Sequence, residues 1–135
     1  VAIDPTGKGD VTKTHVKWTF SPIPEGYSSP VIAGGYVYRA EKDTLRCLDL
    51  KTGKKVYIER LPGGVNLSAS PVLTADGKLY FAGGGKSTVV PVGDKFETLA
   101  TNELGDDSPA SPAVANGRLF IKGGKYLYCI GKPEK

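Results

Sequence analysis

At 135 residues the chain has the length of one small domain, which excludes an ordinary two-domain enzyme. Eighteen Gly and ten Pro beside 39% apolar residues ask for many turns and short strands around a packed core. Its net charge of +4 comes from scattered Lys and Arg that read as a solvated surface, so nucleic acid is not an expected partner, and no run of apolar residues is long enough to span a bilayer as a helix.

Met is absent even at position 1, so the start reads as that of a processed product or an excised piece, with no targeting segment in view. Residues 1–13, with Pro5, Gly7 and Gly9, read as an extended arm. A strand is expected over His15–Phe20. Then comes the main signal, a segment that returns. Ser29-Pro30-Val31-Ile32-Ala33-Gly34-Gly35-Tyr36-Val37-Tyr38 is followed by Ser70-Pro71-Val72-Leu73-Thr74-Ala75-Asp76-Gly77-Lys78-Leu79-Tyr80 and by Ser111-Pro112-Ala113-Val114-Ala115-Asn116-Gly117-Arg118-Leu119-Phe120. Pro30, Pro71 and Pro112 stand 41 residues apart, the period of a four-stranded propeller blade.

Within each unit the Gly-Gly, Asp-Gly and Asn-Gly pairs at 34–35, 76–77 and 116–117 predict hairpin turns with positive φ between strands A and B. Strand C is the run at Leu45, Val89 or Tyr126. Turns at Lys51–Lys54 and Gly93–Asp94 lead into strand D at Lys55–Leu61 and Phe96–Thr101. The third unit stops after strand C, leaving residues 132–135 as a tail. The expected order is D, ABCD, ABCD, ABC, twelve strands in an all-β partial propeller of three blades. Three blades cannot close a ring, and each raw face costs on the order of 25 cal/mol for every Å² of apolar surface left in water. A second copy completing a six-blade ring, with the first strand D passed to the partner's last blade, or the remainder of a larger propeller is expected to cover them.

The Ser-Pro unit and the stretch Leu45-Arg46-Cys47-Leu48-Asp49-Leu50-Lys51-Thr52-Gly53-Lys54 together resemble the repeat of quinoprotein-dehydrogenase-like propellers, also called pyrroloquinoline-quinone-like repeats. The resemblance covers residues 14–131 and is weakest in strands C and D of the second unit. It implies a bacterial exported protein, periplasmic or extracellular, in a group that holds quinone dehydrogenases, a lipoprotein of the outer-membrane assembly machine, and proteins of unassigned role. The dehydrogenases' adjacent cysteines have no counterpart here, and Trp18, the only Trp, falls in an outer strand where such residues pack between blades. No cofactor is therefore expected, because a fold carries a function only with its site.

Other chemistry has little to stand on. Gly83-Gly84-Gly85-Lys86-Ser87-Thr88 mimics a phosphate loop, but Tyr80 stands where its first glycine belongs and a strand follows instead of a helix. Asp106-Asp107 lacks the spacing of a calcium loop and reads as a solvated connection. His15, taken as an exposed strand residue, has no nucleophile motif beside it. Asn66-Leu67-Ser68 matches a glycosylation acceptor and is discounted. Cys47 and Cys129 hold equivalent places two blades apart, too far for a disulfide, and are expected as buried thiols.

The expectation is a non-enzymatic module for binding or scaffolding, with recognition by the D-to-A and B-to-C loops on one rim. Those loops carry Glu25, Tyr27, Asn66, Lys86, Asp106 and Asp107, a polar set suited to a peptide or carbohydrate. The alternative is the C-terminal fragment of a larger propeller oxidoreductase or hydrolase whose catalytic residues lie outside this chain.

Overall fold

The computed structural model describes residues 1–23, 25–62, 68–107 and 109–132. Among them are thirteen strands and no helix, so none long and apolar enough to cross a membrane. β1 (Ala2–Ile3) and β2 (Val16–Trp18) form a two-stranded sheet. Blade 1 is β3 (Val31–Ala33), β4 (Tyr36–Glu41), β5 (Thr44–Asp49) and β6 (Lys55–Arg60), hydrogen-bonded in that order. Blade 2 repeats it with β7 (Val72–Leu73), β8 (Lys78–Gly83), β9 (Lys86–Pro91) and β10 (Ala100–Glu103). Blade 3 has three strands, β11 (Ala113–Ala115), β12 (Arg118–Lys122) and β13 (Leu127–Ile130). All pairings are antiparallel, so the up-and-down order read from the repeat is the order observed.

The turns form where the sequence places them. Gly34 and Gly35 have φ of 58° and 83°, and Asn116 and Gly117 have 51° and 71°, the mirror-image geometry that matches strand twist. The Asp-Lys-Thr-Gly-Lys turn of blade 1 has its own device. The Asp49 carboxylate accepts hydrogen bonds from the Thr52 amide at 2.8 Å, the Thr52 hydroxyl at 2.7 Å and the Lys51 amide at 3.1 Å, and Gly53 then reverses the chain at φ 68°. The most specific piece of the repeat is therefore a turn brace.

Strand pleating puts alternate residues on opposite faces. Tyr38, Ala40, Leu45 and Cys47 of blade 1 meet Leu79, Phe81 and Val90 of blade 2, forming the core, with Tyr57 and Leu61 closing it. The Tyr38 hydroxyl crosses the seam, accepting from the Gly93 amide at 2.9 Å. The Ser-Pro motifs add a second seam. The Ser29 amide donates to Ser70 Oγ at 2.9 Å, and the Ser70 amide donates to Ser111 Oγ at 2.9 Å, one identical bond per repeat.

Four readings are corrected. Strand D of blade 2 begins at Ala100 rather than Phe96, because Phe96 leaves the sheet to pack on Tyr57, with ring centroids 5.8 Å apart. The strands number thirteen rather than twelve, since the segment before His15 supplies β1. His15 is half-buried in the turn leading to β2, not an exposed strand residue. Cys129 is exposed while Cys47 is buried, because the blade 3 face that carries Cys129 has no blade against it.

Candidate functional site

The D-to-A connections and the B-to-C turns share one rim and are fastened to each other. The Leu104 amide bonds the Gly85 carbonyl at 2.8 Å, and two residues on, Asp106 reaches the B-to-C turn of blade 3. Its carboxylate accepts from the Lys125 amide at 3.0 Å, the Tyr126 amide at 3.1 Å and the Tyr128 hydroxyl at 3.2 Å. Gly123 lies so close to this carboxylate that a Cβ there would collide with it. Burial alone would raise the Asp106 carboxyl; the Lys125 and Tyr126 amides and the Tyr128 hydroxyl outweigh it and hold it below its ordinary value of 3.8. Blade 1 carries a matching joint, where the buried Glu41 carboxylate presses on Gly26 and binds Arg39 at 3.4 Å.

The six rim residues thus fall into different situations. Tyr27 is 89% exposed, and Glu25 and Asp107 are also exposed on the same connections. Lys86 is half-buried and paired with Glu103 at 3.2 Å. Asp106 is engaged in bracing the next blade rather than open to solvent. Asn66 lies outside the described residues. No group of three or more His, Cys, Asp or Glu converges as a metal site among the described residues.

A second feature escaped the sequence reading. On the blade 1 face turned away from blade 2 lies a cleft of about 250 Å³, walled by Trp18, Ile23, Val37 and Leu48 and holding Arg39 and Arg46. Trp18 donates its indole N–H to the Leu50 carbonyl at 2.9 Å, and its ring lies on Gly53. It packs against blade 1 from the side where the repeat order would place a preceding blade. A legible signal did exist: the place held by Phe81 and Ile121 in the other two units is Arg39 in the first.

No protein-family model and no curated protein matches the chain. Solved structures do. BamB from Moraxella catarrhalis is similar over 84% of this chain and 36% of its own length, with a TM-score of 0.68 and 18% identity. A europium-containing methanol dehydrogenase is similar over 69% of this chain and 20% of its own, with a TM-score of 0.54 and 15% identity. The chain thus spans about a third and a fifth of these proteins' lengths. At such identity the likeness speaks for the fold alone, and that fold is three successive blades of the β-propeller kind seen in these two proteins.

Proposed function

We propose that the chain is a non-enzymatic propeller module, exported in bacteria, that binds a peptide or carbohydrate through its braced rim and whose unfinished face is covered by further blades. The carrying observation is the outer face of blade 3. Phe120 pairs with Cys129 and Lys122 with Leu127, which puts Phe120, Cys129 and Leu127 on one face, and Leu127 is 69% exposed. The equivalent face of blade 1 is buried core. Surface of this kind in a propeller is where the next blade stacks.

Two sources can supply that blade, a second copy or the remainder of a longer chain. In a two-copy ring the Arg118 and Lys122 face of blade 3 would meet the Arg39 and Arg46 face of blade 1. Apolar burial favours this contact and like charge opposes it. Coverage of only part of the BamB and methanol dehydrogenase chains favours the second source, and with it the reading of a section of a larger propeller oxidoreductase or hydrolase.

For ligand binding, the rim offers Tyr27 with its ring open to water, Glu25 on the same connection, and Asp107 exposed on the connection between blades 2 and 3. Selection from a displayed peptide library and a glycan array tests this directly. Binders that are lost with Tyr27→Ser are expected; no binder in either format, or binders indifferent to Tyr27, Lys86 and Asp107 substitutions, would contradict the rim assignment.

A further inference from the structure

The cleft on blade 1 departs from the plan of the other blades. One cross-strand pair recurs in every blade: Arg39 opposite Arg46 in blade 1, Phe81 opposite Thr88 in blade 2, Ile121 opposite Tyr128 in blade 3. Phe81, Thr88 and Ile121 are 1%, 0% and 5% exposed, sealed between blades. Blade 1 alone puts two guanidinium groups at this position. Like charges set directly opposite across strands repel, so the arrangement needs an anion.

Glu41 supplies one. Its carboxylate lies 3.4 Å from Arg39 and nothing more of it is given to Arg46 among the described residues. Arg46 Nη1 is shut off from solvent and has no hydrogen-bond partner among the described residues. A guanidinium nitrogen left this way costs free energy that a carboxylate would recover, since Arg offers two parallel N–H groups to the two carboxylate oxygens. Around it the walls are mainly apolar, with Trp18, Ile23, Val37 and Leu48 beside Val1 and Pro30, and Ser28 as a polar side chain among them. The volume of about 250 Å³ suits a molecule of roughly ten heavy atoms, below the usual size of drug-like sites.

We infer that this cleft is a binding site for a small monocarboxylate with an apolar body, its carboxylate on Arg46 and its hydrocarbon part against Trp18 and Leu48. The site is separate from the rim and does not depend on the rim's ligand. It also accounts for the position of the β1–β2 segment, which brings Trp18 to the cleft as a wall.

Trp18 is the only Trp and reports from within the site. Benzoate, with benzamide as its uncharged counterpart, is titrated while Trp18 emission is followed. A saturable change with benzoate and none with benzamide is expected. Arg46→Met should weaken benzoate binding by about tenfold or more, the loss of a charge-assisted hydrogen-bond pair. It should fold at least as well as the parent, because it removes a half-buried cation whose Nη1 is shielded from solvent without a hydrogen-bond partner among the described residues. Arg46→Lys, which keeps the charge without the fork, should fall between the two and guards against a folding defect in the first variant. The same response to both probes, no response to benzoate at tens of millimolar, or equal benzoate affinity in the parent and a folded Arg46 variant would each overturn the assignment. Raising the chain concentration until it self-associates separates the site from the blade-covering role: a benzoate response that persists on association supports a ligand site walled by Trp18, and its disappearance would show the cleft to be a blade-docking surface instead.

Discussion

Asp49 and Asp106 do the same physical work in different places, each carboxylate gathering amide and hydroxyl hydrogens that a turn would otherwise leave to water. Both carboxyls are held below their ordinary value, Asp49 by the Thr52 hydroxyl and amide and Asp106, against its burial, by the blade 3 turn. A carboxyl depressed in the folded chain adds stability above its unfolded value near 3.8 and loses it as pH falls through the lower folded value. Acid should therefore unfold the chain below about pH 4, and Asp106→Asn should lower the melting temperature at neutral pH while flattening its fall below about pH 4. Melting followed by circular dichroism across that range checks both; an unchanged pH profile in the variant would remove Asp106 from the brace. The two thiols should behave differently. Burial pushes the Cys47 thiol up and encloses it, whereas Cys129 is exposed. A thiol reagent is expected to label Cys129 in the dilute folded chain and Cys47 only on unfolding, with the sites identified by mass spectrometry of peptides.

At the scale of strands and turns, most of the blade plan was legible in the residues. Ser-Pro pairs 41 residues apart and a turn dipeptide ending in a positive-φ Gly after each gave the number of repeats, the A-to-B hairpins and the truncated third unit. What lay beyond reach depended on contacts between blades. The apolar run at Phe96 looks like a strand by composition, yet tertiary packing on Tyr57 withdraws it from β10. Cys129 looks like Cys47 by position, yet exposure depends on whether a neighbour is present, which periodicity does not encode. The rim loops were recognisable as connections, but Asp106 as a brace required its partners at Lys125 and Tyr126 to be seen in space. The arginine cleft is legible only in what sets the first unit apart, Arg39 standing where the other two have Phe81 and Ile121.

Two substitutions test the elements. Gly53→Ala places a side chain at φ 68° and against the Trp18 ring, so a loss of about 1–2 kcal/mol is expected with Trp18 emission shifted to the red, read by denaturant unfolding. Ser70→Ala removes the acceptor for the Ser29 amide in a partly exposed seam and should cost about 0.5–1 kcal/mol in the same assay, with the Ser111 bond left in place.

For the whole molecule, the interior runs from blade to blade, not from a centre outward. The seam between blades 1 and 2 is a full core of Tyr38, Leu45, Leu79 and Phe81, the seam between blades 2 and 3 buries Ala82, Val89 and Ile121, and beyond blade 3 the same kind of surface meets water. The serine chain makes the same point in hydrogen bonds, since each Ser-Pro motif is joined to the one 41 residues on. Stacking of this kind is additive, so a further blade adds one more seam of the same sort. The open face is apolar at Phe120 and Leu127 and cationic at its ends, at Arg118 and Lys122, so its burial should be promoted by salt that screens the repulsion.

Mass by light scattering, over a range of chain concentrations and at low and about 0.5 M salt, tests this most directly. The account expects reversible association above one chain as concentration rises, stronger in high salt, with Cys129 becoming protected in step. A folded single chain at every concentration and salt, with Cys129 freely reactive throughout, would contradict it.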